Sequence, residues 1–247
     1  MTMRQKAKRL TWLFDLDNTL HDASHAIFPA IHQNMNVYIA KVLQSCGLPC
    51  DTAAVDEARI GYWQRYGATL LGMVHHHQVK ADDFLREAHR FDNLHDMIRA
   101  ERNLARILHK LPGRKILLTN APRIYSHDVM RHLGLHRHFA RHVPIEAMRV
   151  HGRLRPKPSK LMLKKLMAAE GLRPRDCILI EDTVENLKGA KTLGLRTAWI
   201  TQYLSMDSSR QAIAGVRATT KSTKRPIYVD VKVKSVGQLF RQLHRLR

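Results

Sequence analysis

The sequence predicts an α/β fold, a doubly wound parallel sheet with a small all-helical domain inserted into it. Two observations carry this. Short apolar runs of strand length (Leu10–Leu16, Lys115–Thr119, Cys177–Ile180, Thr197–Ile200) alternate with segments of helical period. Strands that alternate with helices imply a parallel sheet with helices on both faces. The block from residue 21 to 108, by contrast, carries helical period alone.

In chain order, Leu10–Leu16 ends in carboxylates and reads as a buried strand. From about Ser24 the period changes, with Ile27, Ile31, Met35, Tyr38, Ile39 and Val42 at helical spacing. Further helices are expected around Thr52–Tyr66, Asp82–Phe91 and Leu94–Leu108. After Pro112-Gly113 comes the strand Lys115–Thr119, then a helix around Tyr125–Leu133 stopped by Gly134. Ser159–Glu170 is expected as a helix with Ser159 as its N-cap and Gly171 as its stop. The strand Cys177–Ile180, a helix Val184–Leu193 ended by Gly194 and the strand Thr197–Ile200 follow. Residues 204–226 are polar and basic, a long loop. Ile227–Val233 and Val236–Leu246 read as the last strand and last helix. The expected domains are a discontinuous core of residues 1–20 and 109–247 and a helical domain of residues 21–108.

Composition narrows the classes. Of 247 residues, 44% are apolar, which suits a packed core and argues against disorder. No apolar run approaches the roughly 20 residues that span a bilayer. The basic start, Met1 to Leu10, does not read as a signal peptide, because Asp15 interrupts the short apolar stretch after it. Cys46, Cys50 and Cys177 are a sparse, odd set, as expected of reduced thiols in the cytoplasm, and no further ligands at metal-site spacing follow Cys46 and Cys50. The net charge of +21 favours anionic partners. It gathers at Arg4, Lys6, Lys8 and Arg9 and again after Ser205. A run of stacking aromatics is not interleaved with it, so nucleic acid is a weaker expectation than a small anion.

The sharpest chemical signal is Phe14-Asp15-Leu16-Asp17-Asn18-Thr19. Two carboxylates two residues apart at the C-terminal end of a strand lie where open α/β sheets bind ligands. If the extended geometry persisted, both would point to one face. Such a pair can hold a hard cation and divide labour between nucleophile and acid/base. Alone it is a weak signal, since acidic turns are common. Three further elements follow: Thr119 with Asn120 ending an apolar strand, Lys157 in Arg155-Pro156-Lys157-Pro158, and Glu181-Asp182 ending another apolar strand. Taken singly, Thr119 could satisfy a strand end, Lys157 could be a surface lysine, and Glu181-Asp182 could be a charge pair favoured by a helix dipole.

In this order the four elements resemble the haloacid dehalogenase-like hydrolases. The resemblance implies a Rossmann-like core and a Mg²⁺-dependent phosphatase. It casts Asp15 as the nucleophile that forms an aspartyl-phosphate, and Asp17 as the group that protonates the leaving alkoxide and then activates water. Thr119 would offer its hydroxyl to a phosphate oxygen, and Asn120 with the helix start after it would offer backbone N–H groups. Lys157 would supply a fixed positive charge. The implied metal set is Asp15, Asp17 through its backbone carbonyl, Asp182, and Glu181 directly or through water. Many relatives carry a further aspartate a few residues on; here the stretch is Thr183-Val184-Glu185-Asn186, leaving Glu185 or Asn186 for that place. Dehalogenases lack the second aspartate because a leaving halide needs no proton, so Asp17 favours phosphate-ester hydrolysis.

The helical block resembles the cap that covers the site in this superfamily. Tyr62 to Gly72, with Ala88-His89-Arg90-Phe91, is similar to the pyrimidine 5′-nucleotidase branch, and the likeness spans roughly residues 10–204. It implies a nucleoside monophosphate such as UMP or CMP, with Arg65, Tyr66 and His89 as substrate contacts and Tyr62, His76 and His77 as further candidates. Tyr62 and Tyr66, four apart on a helix, could instead pack together. His75-His76-His77 could be a metal tract, but consecutive helical residues do not face one direction. Two alternatives remain: a phosphatase or phosphotransferase for another small metabolite such as a sugar phosphate, and a basic nucleic-acid-associated protein.

Overall fold

The computed structural model describes residues 10–204 and 224–246. The N-terminal basic cluster and most of the expected 204–226 loop lie outside the described residues. The strands are β1 Thr11–Phe14, β2 Arg114–Leu118, β3 Arg141–Val143, β4 Arg149–Val150, β5 Arg153–Leu154, β6 Cys177–Glu181, β7 Arg196–Ile200 and β8 Val231–Val233. Six form one sheet in the order β3-β2-β1-β6-β7-β8, every neighbouring pair parallel. β4 and β5 make a small antiparallel pair. The chain begins at the centre, builds outward through β2 and β3, then returns to build through β6, β7 and β8. The reversal falls between β1 and β6, and at such a switch point the carboxyl ends of the strands open a crevice. Every residue of β1 and β6 is buried, as expected where helices cover both faces.

The described residues divide into two compact units, one of residues 10–23, 98–204 and 224–246 and one of residues 24–97. The second unit is helical: α1 Ile27–Ser45, α2 Thr52–Tyr66, α3 Thr69–His77, α4 Ala81–Ala88 and α5 Leu94–Met97. α1 buries Ile27, Ile31, Ile39 and Leu43 at helical spacing. α2 opens on Asp51, whose side chain accepts from the N–H groups of Ala53 and Ala54, and closes on Gly67 at φ 80°. α3 crosses α2 at Gly72, where an added Cβ would lie 2.3 Å from Cβ of Tyr62, so only glycine permits this approach. Tyr38 meets Phe84 edge-on at 5.5 Å between centroids.

The first unit holds α6 Leu104–Lys110, α7 Arg123–His132, α8 Lys160–Ala169 and α9 Val184–Lys191. Ser159 caps α8 as expected, accepting from Met162 N–H at 3.3 Å. Leu163 and Leu166 of α8 and Leu187 and Ala190 of α9 pack on Leu13, Ile116, Leu118 and Leu179 of the sheet. Each such leucine contributes about 1.5–3 kcal/mol by leaving water.

Several expected elements differ. The helix expected over Leu94–Leu108 is two, α5 and α6. Between them Ala100 bridges His21, and Arg99 O accepts from Asp22 N–H at 2.7 Å, so the chain there runs extended. Asn103 at φ 61° then turns it into α6. The last strand begins at Val231, not Ile227: Ile227 is 97% exposed and Val229 N–H closes a turn on Pro226 O. The last helix is a 3₁₀ segment over Val236–Gln242. Residues 98–108, expected in the helical domain, lie in the first unit.

Candidate active site

Neighbouring strand ends bring the polar residues together. β1 pairs with both β2 and β6, with Phe14 level with Leu117 and with Ile180. One step further along, Asp15, Leu118 and Glu181 stand abreast, and Asp15 N–H donates to Ile180 O at 3.0 Å. The Lys157 ammonium enters between the carboxylates, 2.6 Å from Asp15 Oδ1 and 2.8 Å from Glu181 Oε2. Thr19 Oγ1 donates to Asp15 Oδ2 at 3.2 Å. Asp15, Glu181 and Asp182 each place an oxygen within 4.8 Å of the others. All-oxygen donors of this kind suit a hard divalent cation.

The electrostatics point the same way. Burial pushes the Asp15 carboxyl up; Lys157 opposes this and the charge of Asp17 adds to it. Glu181 is pushed well up, by burial first and by Asp15 second. Asp182 rises to about 7, again through burial and then the charge of Asp15. Lys157 is held above its ordinary value because Asp15 and Glu181 together outweigh the effect of its burial. A single ammonium leaves this group of carboxylates under-neutralised, and a bound cation would relieve it.

The supporting residues were only partly anticipated. The Asn120 side chain clamps the lysine segment, its Nδ2 donating to Lys157 O at 3.1 Å and its Oδ1 accepting from Lys157 N–H at 2.9 Å. Of the two residues left open for the supporting acid position, Glu185 is exposed, whereas Asn186 is buried and donates from Nδ2 to Glu181 Oε1 at 2.8 Å. Both oxygens of Glu181 therefore have protein partners. Thr119 is buried, with its hydroxyl accepting from Ala121 N–H at 3.0 Å. Trp199 Nε1 donates to Asp182 O at 2.8 Å.

Asp17 stands apart from the group of three. β1 ends at Phe14, and Asn18 takes φ 57° with its Oδ1 accepting from Ala23 N–H at 3.1 Å, so the extended geometry does not persist through Asp17. Its Oδ1 receives the Tyr125 hydroxyl at 2.5 Å and lies 2.9 Å from His21 Nε2. Neither partner was predicted. Burial first, then the charge of Asp17, pushes the Tyr125 phenol well up. The available signal was a tyrosine in the first turn of the helix that follows Thr119-Asn120.

In the second unit, Arg65 is exposed with its guanidinium 5.5 Å from the Tyr66 ring centre. Tyr66 and Tyr62 pair through their hydroxyls with His76 Nε2 and His77 Nε2, each at 2.7 Å. His89 Nδ1 lies 2.9 Å from Leu85 O at the end of α4. Among the described residues the three histidines of α3 form no metal-holding group. The cysteines are free: Cys46 and Cys50 are exposed, and burial pushes the Cys177 thiol up to about 12. No described helix is long and apolar enough to cross a membrane.

Comparison with known proteins agrees with this geometry. A HAD phosphatase from Thermococcus onnurineus superposes with a TM-score of 0.61 at 15% identity, over 96% of this chain and 99% of that one. A predicted phosphatase from Clostridium acetobutylicum gives 0.57 at 18% identity, over 97% and 100%. The L-2-haloacid dehalogenase of Xanthobacter autotrophicus, with chloropropionic acid covalently bound, gives 0.56 at 15% identity, over 95% and 98%. At these identities the likeness is one of fold. The family model for haloacid dehalogenase-like hydrolases matches residues 11–194, most of the chain. With the sheet order, the strand-end carboxylates and this match in agreement, the chain belongs to the haloacid dehalogenase-like hydrolases.

Proposed function

We propose that this hydrolase is a Mg²⁺-dependent phosphomonoesterase working through a phosphorylated Asp15. The observation that carries the reading is Asp17, a second aspartate beyond the nucleophile, held by hydrogen-bond donors outside the carboxylate group. A halide leaves without a proton; an alkoxide does not. Asp15 and Asp182, with the Asp17 backbone carbonyl, would hold the cation, with Glu181 as a further ligand directly or through water. The cation would supply charge neutralisation for the phosphate among the carboxylates.

The protein's own groups do the remaining work. An Asp15 oxygen attacks phosphorus as the P–O bond to the alcohol breaks, and Asp17 gives its proton to the departing oxygen. Water then attacks the phosphorus, Asp17 takes its proton, and Asp15 is released. Lys157, steadied by Glu181 and Asn120, keeps a positive charge against Asp15 and the incoming phosphate. For the ester, the likeness of the Tyr62–Gly72 segment to the nucleotidase branch supports a pyrimidine nucleoside 5′-monophosphate. The direct test is phosphate release from an aryl phosphate. Activity is expected with Mg²⁺ and lost with EDTA; full activity after exhaustive metal removal would rule the reading out. A panel of UMP, CMP and sugar phosphates then tests the ester.

A further inference from the structure

Two side chains with no part in bond making close on a single oxygen of Asp17. The Tyr125 hydroxyl is 2.5 Å from Oδ1 and His21 Nε2 is 2.9 Å from the same atom. The two donors are 3.4 Å apart, and both residues are buried, Tyr125 at 2% and His21 at 0% exposure. They arrive from different parts of the chain. Tyr125 belongs to α7, which starts directly after Thr119 and Asn120. His21 belongs to the turn after β1, with its backbone bridging Asp17 on one side and Ala100 on the other.

A phenol is protonated at neutral pH, so towards a carboxylate oxygen it donates. An ionised carboxylate only accepts, so Nε2 of His21 carries the ring hydrogen. Nδ1 is buried and has no hydrogen-bond partner among the described residues. Oδ1 is thereby crowded with two hydrogens. A third, the carboxyl proton itself, has no room there.

Building on the phosphatase reading, we propose that Tyr125 and His21 are positioning residues that fix Oδ1 of Asp17 as the accepting oxygen, so that the proton exchanged in catalysis is carried on Oδ2. In the first step the Oδ2–H bond breaks and the leaving oxygen, taking the electron pair of its bond to phosphorus, gains that hydrogen. In the second step the attacking water returns a proton to Oδ2. With either donor removed, Oδ1 is held by one hydrogen bond fewer, and the carboxyl proton faces the leaving oxygen less consistently. An acid held in one orientation avoids that loss.

The test compares Tyr125→Phe, which keeps the ring and removes the hydroxyl, with wild type on a primary alkyl phosphate and on 4-nitrophenyl phosphate. The readout is kcat/KM, which counts steps only up to the aspartyl-phosphate, so water activation does not blur it. Nitrophenolate leaves without help. The expected loss is therefore about tenfold or more on the alkyl ester and within about threefold on the aryl ester, against the 10²–10⁴-fold that a complete acid contributes. A second pair keeps the idea testable if Tyr125→Phe folds poorly. His21→Gln retains a side-chain N–H at similar reach and should recover most of the alkyl-ester activity that His21→Leu loses. Equal losses on both esters in folded variants, or no rescue by glutamine, would overturn the assignment and leave the pair as packing. Phosphate release from neither ester by wild type would instead overturn the phosphatase reading, and this inference with it.

Discussion

Asn186 Nδ2 donates to Oε1 of Glu181 at 2.8 Å, which leaves the opposite oxygen to receive the Lys157 ammonium. Glu181 is thus held at both oxygens while it pairs with the Lys157 ammonium. Asn186→Ala should let the carboxylate rotate and the ammonium drift from Asp15. Losses from such supporting positions run to about 10–100-fold in activity or metal affinity. The measurement is turnover of an aryl phosphate at saturating Mg²⁺ alongside thermal unfolding. A folded variant within twofold of wild type would show that Lys157 needs no such support.

Asp15→Asn should abolish turnover with the fold intact, because an amide is a poor nucleophile. The variant also removes one charge from the crowded carboxylates, so the stabilisation by Mg²⁺, read as a shift in Tm, should shrink. Wild-type turnover by a folded Asp15→Asn protein would remove Asp15 from the nucleophile's place.

Asp182 gives a pH dependence with a definite sign. Its carboxyl rises from 3.8 to about 7 through burial and the charge of Asp15. The metal-free fold therefore holds this proton more tightly than the unfolded chain does. That contribution to stability is fully present below the ordinary carboxyl value and is lost as pH rises through about 7. The cation acts in the opposite sense, because it must displace the proton. On the proposed Mg²⁺ reading, competition at a pKa of about 7 should make the apparent Mg²⁺ affinity about tenfold weaker at pH 6 than at pH 8. Tm measured with and without Mg²⁺ at both values checks this, and a larger metal shift at pH 6 would contradict it.

The elements legible in the sequence were those whose signal is local. β1, β2 and β6 announce themselves as apolar runs, and Ser159 as a cap. β3 did not, because Arg141–Val143 is three residues long and carries two polar side chains at a sheet edge. α3 was read as part of the helical block but given no bounds; Gly72 within it is what lets Tyr62 approach. Asp15, Lys157 and Glu181 were legible through motif order and meet in the structure. Tyr125 and His21 were not. Their bonds span 108 and 4 residues and converge on one oxygen, and from sequence each looks like an ordinary aromatic or turn residue. Asn120 was expected to serve through its backbone; its side-chain clamp depends on a segment 37 residues away.

Specificity is the last expectation. On the proposed reading the residues around Asp15 would engage phosphate and cation and could not choose the ester, which leaves that choice to other residues such as Arg65 and His89. Arg65, stacked near Tyr66, offers a guanidinium and an aromatic face, groups suited to a base and ribose. Binding energy from remote parts of a substrate can orient its reacting phosphate. Arg65→Ala should therefore lower kcat/KM for UMP by about tenfold or more, the loss of roughly one charged or stacking contact, and scarcely alter it for a small aryl phosphate. His89→Ala should do the same, but its ring also lies against Leu85 O at the end of α4, so its Tm must be read alongside. Equal losses on both esters, or a wild-type preference for sugar phosphates over UMP and CMP, would refute the nucleotide reading and leave the phosphatase chemistry to be judged on Asp15 and Asp17 alone.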